Sequence, residues 1–178
     1  MAYDKMRHHR RSIRWKKWNY AKQGAYFITI CSRDREYLFG EIFDGVMVLS
    51  EIGQIVENTW LELTRRYSSI KLGEYQVMPN HFHALLFLDG ETETPLGNVV
   101  KAFKSLAFHQ YYTLLKERDS LTFKKAKIWQ RNYWDHVVRD DEDLRNCRNY
   151  ISNNPSNWQG DDENLNRLLA RMTEHESP

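Results

Sequence analysis

An α+β fold is predicted by three features of this 178-residue chain. Stretches rich in β-branched and aromatic residues alternate with stretches whose apolar residues recur at helical spacing. Gly, Asp, Asn and Pro fall between them. The longest apolar runs, 25–31 and 84–88, are far short of the roughly 20 residues that span a bilayer. With 41% hydrophobic and 28% charged residues and a mean hydropathy of −0.74, one polar globular domain with tails is expected.

Taken in order, residues 25–32 (AYFITICS) read as a strand. Residues 38–50 hold Gly40, Asp44 and Gly45 between apolar pieces and read as a hairpin. Ile52, Ile55, Val56, Trp60 and Leu63 then recur at helical spacing, with Ser50 placed to cap the helix. Residues 70–78 and 81–88 read as strands joined at Pro79-Asn80, and 91–95 as a polar loop. Leu96, Val99, Val100, Phe103, Leu106, Tyr111 and Leu114 mark a longer helix, and 128–139 a strand. The acids at 140–143 suit a helix N-terminus; that third helix runs to about Asn154, and Pro155 ends it. Beyond Gly160 the chain is polar, with a weak Leu165, Leu168, Leu169, Met172 stripe. Setting aside the hairpin and the last helix leaves βαββαβ. That order predicts a ferredoxin-like antiparallel four-stranded sheet with two helices on one face, plus an extra C-terminal helix. The expected organisation is a basic N-terminal arm over 1–24, a folded domain over 25–158 and a polar C-terminal tail over 159–178.

Charge is uneven. The formal net charge is +2, yet residues 1–24 carry eight Lys and Arg against Asp4 alone, so the remainder is acidic. Trp15, Trp18 and Tyr20 interleave with those cations. Cations that follow phosphates and aromatics that stack on unpaired bases suit single-stranded nucleic acid. Cys31 and Cys147 form no CxxC pair, and no apolar stretch follows the basic N-terminus. A reducing, cytoplasmic setting with no membrane association is expected.

Two motifs carry chemistry. His81 and His83 are two apart on a predicted strand, so both imidazoles project to one side while Phe82 goes to the other. Two such imidazoles make half of a metal site, or two polar groups satisfied by water or backbone. On the third helix, Tyr150 and Asn154 are four apart and share a face at the border of the Leu144, Cys147, Ile151 stripe. Of ten tyrosines, Tyr37 and Tyr150 alone have an oxygen ligand four residues on, and Tyr37 falls near the hairpin. His109 and His136 read as surface or core histidines, and His8 and His9 as an inert pair in the arm. There is no HExxH, P-loop, GxGxxG or nucleophile elbow.

Together the motifs resemble the HUH-superfamily single-tyrosine (IS200-like) transposases, and more closely the REP-associated tyrosine transposases. The likeness extends to the surrounding segments. These are 10–14 (RRSIR), 24–29 (GAYFIT), 78–83 (MPNHFH), 129–136 (WQRNYWDH), 140–143 (DDED) and 150–155 (YISNNP). It covers roughly residues 10–158. Insertion-sequence members commonly carry Gln four residues after the tyrosine; Asn154 here is similar to the REP-associated branch.

The resemblance implies that 25–158 is a transposase domain. His81, His83 and Asn154 would hold a divalent cation, Mg²⁺ or Mn²⁺. Tyr150 would be the nucleophile, a phenol with an ordinary pKa of about 10 that needs help losing its proton. Attack on DNA would leave a 5′-phosphotyrosine and a 3′-hydroxyl, so strands are cut and rejoined. The implied substrate is single-stranded DNA folded into a REP-type hairpin. Arg11, Arg14, Lys101, Lys104 and Arg131 are its expected contacts. The resemblance is compatible with a monomer or a homodimer. The alternative is a non-catalytic single-stranded nucleic-acid-binding module on the same fold, although the central strands carry Tyr75, Phe82 and Phe87 without an RNP pattern.

Overall fold

The computed structural model describes residues 19–90, 94–118 and 127–160. Six strands are present: β1 (Gly24–Cys31), β2 (Gly40–Phe43), β3 (Val46–Leu49), β4 (Ile70–Met78), β5 (His81–Leu88) and β6 (Trp134–Val137). The helices are α1 (Glu51–Leu61), a single turn α2 (Leu63–Arg66), α3 (Leu96–Arg118) and α4 (Asp141–Asn153). Four strands form one sheet in the order β4-β5-β1-β6, with every pair antiparallel. β2 and β3 form the separate hairpin. Around the sheet the elements run β-α-β-β-α-β.

Alternation along the inner strands builds two cores. Tyr26, Ile28 and Ile30 of β1, with Phe82, Ala84 and Leu86 of β5, face α1 and α3. Trp60, Phe82 and Phe103 meet there at centroid distances of 5.1–5.3 Å. The opposite face sends Phe27 and Leu85 toward Cys147 and Ile151 of α4. The sheet is therefore sandwiched, with α4 on the second face. In register, Cys31 stands opposite His81 and Thr29 opposite His83.

Local chemistry fixes the ends. Ser50 Oγ accepts from Gly53 N at 3.1 Å, and Asp140 Oδ1 accepts from Asp143 N at 2.8 Å, so both predicted starts are side-chain capped. Asp44 and Gly45 take positive φ of 49° and 76°, as a tight hairpin turn requires. Pro155 ends α4 and opens a 3-10 turn, Pro155–Gly160.

The strand expected over 128–139 is instead four residues long. Trp129 makes an isolated bridge to Ser32, and the ladder resumes only at Trp134. Lys104 of α3 explains the gap. Its Nζ donates to the carbonyls of Gln130 and Arg131, at 2.6 and 3.0 Å, and holds them away from a ladder. The first helix breaks at Glu62, and α3 runs to Arg118, past the predicted Leu114. Residues 1–18 of the arm, 91–93 of the polar loop and the 161–178 tail with its apolar stripe lie outside the described residues.

Candidate active site: a buried histidine pair beside a tyrosine helix

β5 begins with His81, so both imidazoles sit at one end of an inner strand, on the α4 face. Their ring centroids are 4.4 Å apart. His81 Nδ1 lies 2.8 Å from Asn80 Oδ1. A carbonyl oxygen only accepts, so the proton is on His81 Nδ1 and Nε2 keeps its lone pair. His83 Nδ1 lies 2.8 Å from Thr29 Oγ1 on the neighbouring strand. His83 Nε2 is buried, with no hydrogen-bond partner among the described residues. Such an orphan is costly unless something binds it.

Both rings are neutral. Burial pushes the His81 pKa down to about 3; the charge of Arg35 adds to this, and a hydrogen bond with Asn154 opposes it. Burial, then the neighbouring His81, takes His83 well below the usual imidazole value. Neutral imidazole is the form that ligates metals. Asn154, at the end of α4, is 3% exposed and reaches His81. One turn earlier, the half-buried Tyr150 ring packs edge-on to His83 at 5.1 Å and to Phe27 at 5.9 Å. A small pocket of about 180 Å³ opens here, lined by Asn149, Tyr150, Asn153, Asn154 and Asn157. His81, His83, Tyr150 and Asn154 thus converge within one chain. Two imidazole nitrogens and a carboxamide oxygen, one nitrogen being an unsatisfied buried atom, fit a divalent cation that keeps open positions.

α4 is pinned at both edges of the sheet. Asp143 Oδ2 accepts from His136 Nε2 of β6 at 2.8 Å and from Arg139 N at 3.0 Å. Arg148 pairs with Glu74 of β4 at 2.9 Å. His136, Asp143 and Cys147 also bring three donor atoms within 4.8 Å of one another, close enough to hold a cation. Their groups already partner each other, however. Cys147 Sγ lies 3.9 Å from Asp143 Oδ1, and burial, with Asp143, pushes its thiol up to about 12.

The expected DNA contacts fare differently. Lys101 and Arg131 are exposed. Gln130 N donates to Cys31 O, and Cys31 pairs with His81, so Arg131 lies toward the histidine end of the sheet. Lys104 is half-buried on the Gln130 and Arg131 carbonyls, and burial lowers its pKa to about 8. Its ammonium serves the fold rather than standing open to solvent. Arg11 and Arg14 lie outside the described residues. Three supporting residues were not singled out from sequence. Thr29 needed the β1–β5 register to be found. Asn80 belongs to the 78–83 segment of the resemblance and to a predicted turn, but neither gives it a role toward His81. Arg35 sits with Asp34 in a left-handed turn (φ 56° and 53°), and its carbonyl accepts from Asn80 Nδ2 at 3.3 Å.

A larger groove of about 1090 Å³ runs along β4 and includes Met47, Lys71, Tyr75 and Arg148. Lys71 pairs with Asp89 and Arg148 with Glu74, so its cations are already neutralised.

A sheet sandwiched by helices, with a histidine pair on an inner strand and a tyrosine helix across it, defines a class also found by comparison. The profile described as "Transposase IS200 like" matches residues 27–154, and the chain belongs to that family. A Haemophilus influenzae protein of uncharacterised function is 33% identical over 174 residues, covering 86% of this chain and 92% of its own. A second protein of that organism, named "Putative REP-associated tyrosine transposase", is 24% identical over 139 residues, 77% of this chain and 73% of its own. Among solved structures, a REP-associated tyrosine transposase bound to a REP hairpin has the same fold. Its TM-score is 0.59 at 21% identity, over 81% of this chain and 73% of that one. Among the described residues, no helix is long and apolar enough to cross a membrane.

Proposed function

We propose that the chain is a metal-dependent DNA nicking and joining enzyme that uses Tyr150 to cut and transfer single-stranded DNA folded into a REP-type hairpin. The observation that carries this is the buried, neutral His81–His83 pair with the Tyr150 ring of the same chain 5.1 Å from His83. The ferredoxin-like arrangement of the sheet is part of the same reading, with α4 as its catalytic helix. The hairpin in the matched solved structure supports the substrate class.

His81, His83 and Asn154 would hold Mg²⁺ or Mn²⁺. When bound there, the ion supplies positive charge that polarises the scissile phosphate. The protein's own groups do the rest. Asn80 and Thr29 fix the ring orientations, as partners of metal-bound histidines do. Phe27 and His83 hold the phenol edge-on. The Tyr150 oxygen forms a bond to phosphorus as the bond from phosphorus to the 3′ oxygen breaks. Net, the phenol proton ends on the departing 3′ oxygen. The product is a 5′-phosphotyrosine, and attack by a 3′-hydroxyl reverses the step and joins strands. Lys101, Arg131 and the basic arm with Arg11 and Arg14 are the proposed DNA contacts; Lys104 acts through the backbone it holds.

The test is a labelled DNA hairpin with a single-stranded flank, incubated with Mn²⁺ and run on a denaturing gel. A covalent protein–DNA band is expected, lost in Tyr150→Phe and with EDTA. Hairpin binding that survives EDTA, with no covalent band on any hairpin tried, supports the non-catalytic binding module instead.

A further inference from the structure

Beside the histidine pair lies an aromatic pair that the proposed chemistry leaves unused. Trp158 is half-buried in the 3-10 turn that follows Asn154, and its ring centroid is 6.1 Å from that of His81. Tyr37, just before β2, stands edge-on to Trp158 at 5.5 Å. Tyr37 is 66% exposed, the highest value among the exposed large hydrophobic side chains of the described residues. Core packing does not account for so exposed a ring. Gly45 at the hairpin tip lies beside this turn, close enough that a Cβ there would meet Ser156. Arg35 belongs to the same loop as Tyr37, and its charge reaches His81. Aromatic faces next to a cation, at the rim of a phosphate site, are what a single-stranded nucleic acid uses to seat an unpaired base.

We infer that Trp158 and Tyr37 form a base-stacking shelf for the unpaired nucleotide next to the phosphate at His81 and His83. This inference rests on the strand-transfer reading above. A base stacked there fixes which phosphate lies against Tyr150, so the shelf sets the register of the strand as well as adding affinity. Because every base has a π-face, the shelf accepts any of the four.

The test uses Tyr150→Phe protein with Mn²⁺ and two probes, a short oligothymidine and its abasic counterpart. The oligothymidine is expected to bind roughly 5- to 100-fold more tightly than the abasic strand. Adding Trp158→Ala or Tyr37→Ala should erase most of that ratio, and Trp158→Phe should restore part of it. Tyr37→Ala removes an exposed side chain and keeps the test valid if Trp158→Ala fails to fold. In parallel, 5-iodouracil placed in the oligothymidine should photo-crosslink to residue 158 or 37. The inference is overturned by equal binding of both probes. An unchanged ratio in folded Trp158→Ala and Tyr37→Ala, or crosslinks confined to other residues, overturns it as well. Loss of the covalent band in wild-type protein is a separate outcome that strikes the strand-transfer reading. An intact band with an indifferent aromatic pair strikes the shelf alone.

Discussion

Two neutral imidazoles share the buried end of β5, and that has a cost in acid. In the unfolded chain each histidine titrates near 6.5. In the folded chain burial holds His81 at about 3 and His83 well below its usual value. Below about pH 6.5 the unfolded chain takes up protons that the folded chain refuses. Stability therefore falls as pH falls, by up to about 1.4 kcal/mol per unit for each histidine. Cation affinity should behave differently. Few protons leave the rings on binding, so Mn²⁺ affinity of the folded protein should stay flat from about pH 8 to about 5.5. Calorimetric titration at several pH values checks this, and a tenfold loss between pH 7 and 6 would contradict it. Thr29→Val keeps the shape and strand preference of a 3% exposed residue but removes the partner of His83 Nδ1. It should weaken Mn²⁺ binding by roughly 10- to 100-fold while the fold survives.

At the scale of elements, α4 is held by contacts far apart in sequence. Asp143 ties it to His136 and to Arg139 N, and Arg148 ties it to Glu74. Asp143→Ala leaves a buried imidazole N–H without its acceptor. It should lower stability by about 1–3 kcal/mol in urea unfolding and slow formation of the covalent complex, since Tyr150 lies two turns further along the same helix. Asp143→Asn, which keeps an acceptor, should recover much of both. The boundaries of α4 were legible in the sequence because they are set locally, by Asp140 as cap and Pro155 as stop. The edge strand was not. Residues 128–133 have strand character, but Lys104 reaches their carbonyls from a helix some two dozen positions earlier, and no periodicity reports such a contact.

Across the whole molecule, the second face of the sheet carries the chemistry and the first carries most of the core. The His-x-His and Tyr-x-x-x-Asn spacings were readable because strand and helix periodicities put each pair on one side. Their convergence was expected from the family resemblance alone and not from periodicity, since it depends on β1–β5 register and on α4 crossing the sheet opposite α1 and α3. The structure brings all four side chains together in one chain, so on the proposed reading the site is complete without a second copy. A mixture of Tyr150→Phe and His81→Ala proteins should then form no more covalent complex than either alone; restored activity in the mixture would mean that subunits exchange α4. The most direct test is a crystal soaked in Mn²⁺ and measured for anomalous scattering. The account predicts one strong peak touching His81 Nε2, His83 Nε2 and the Asn154 carboxamide oxygen, next to the Tyr150 hydroxyl. No peak there, or a peak only among His136, Asp143 and Cys147, would contradict it.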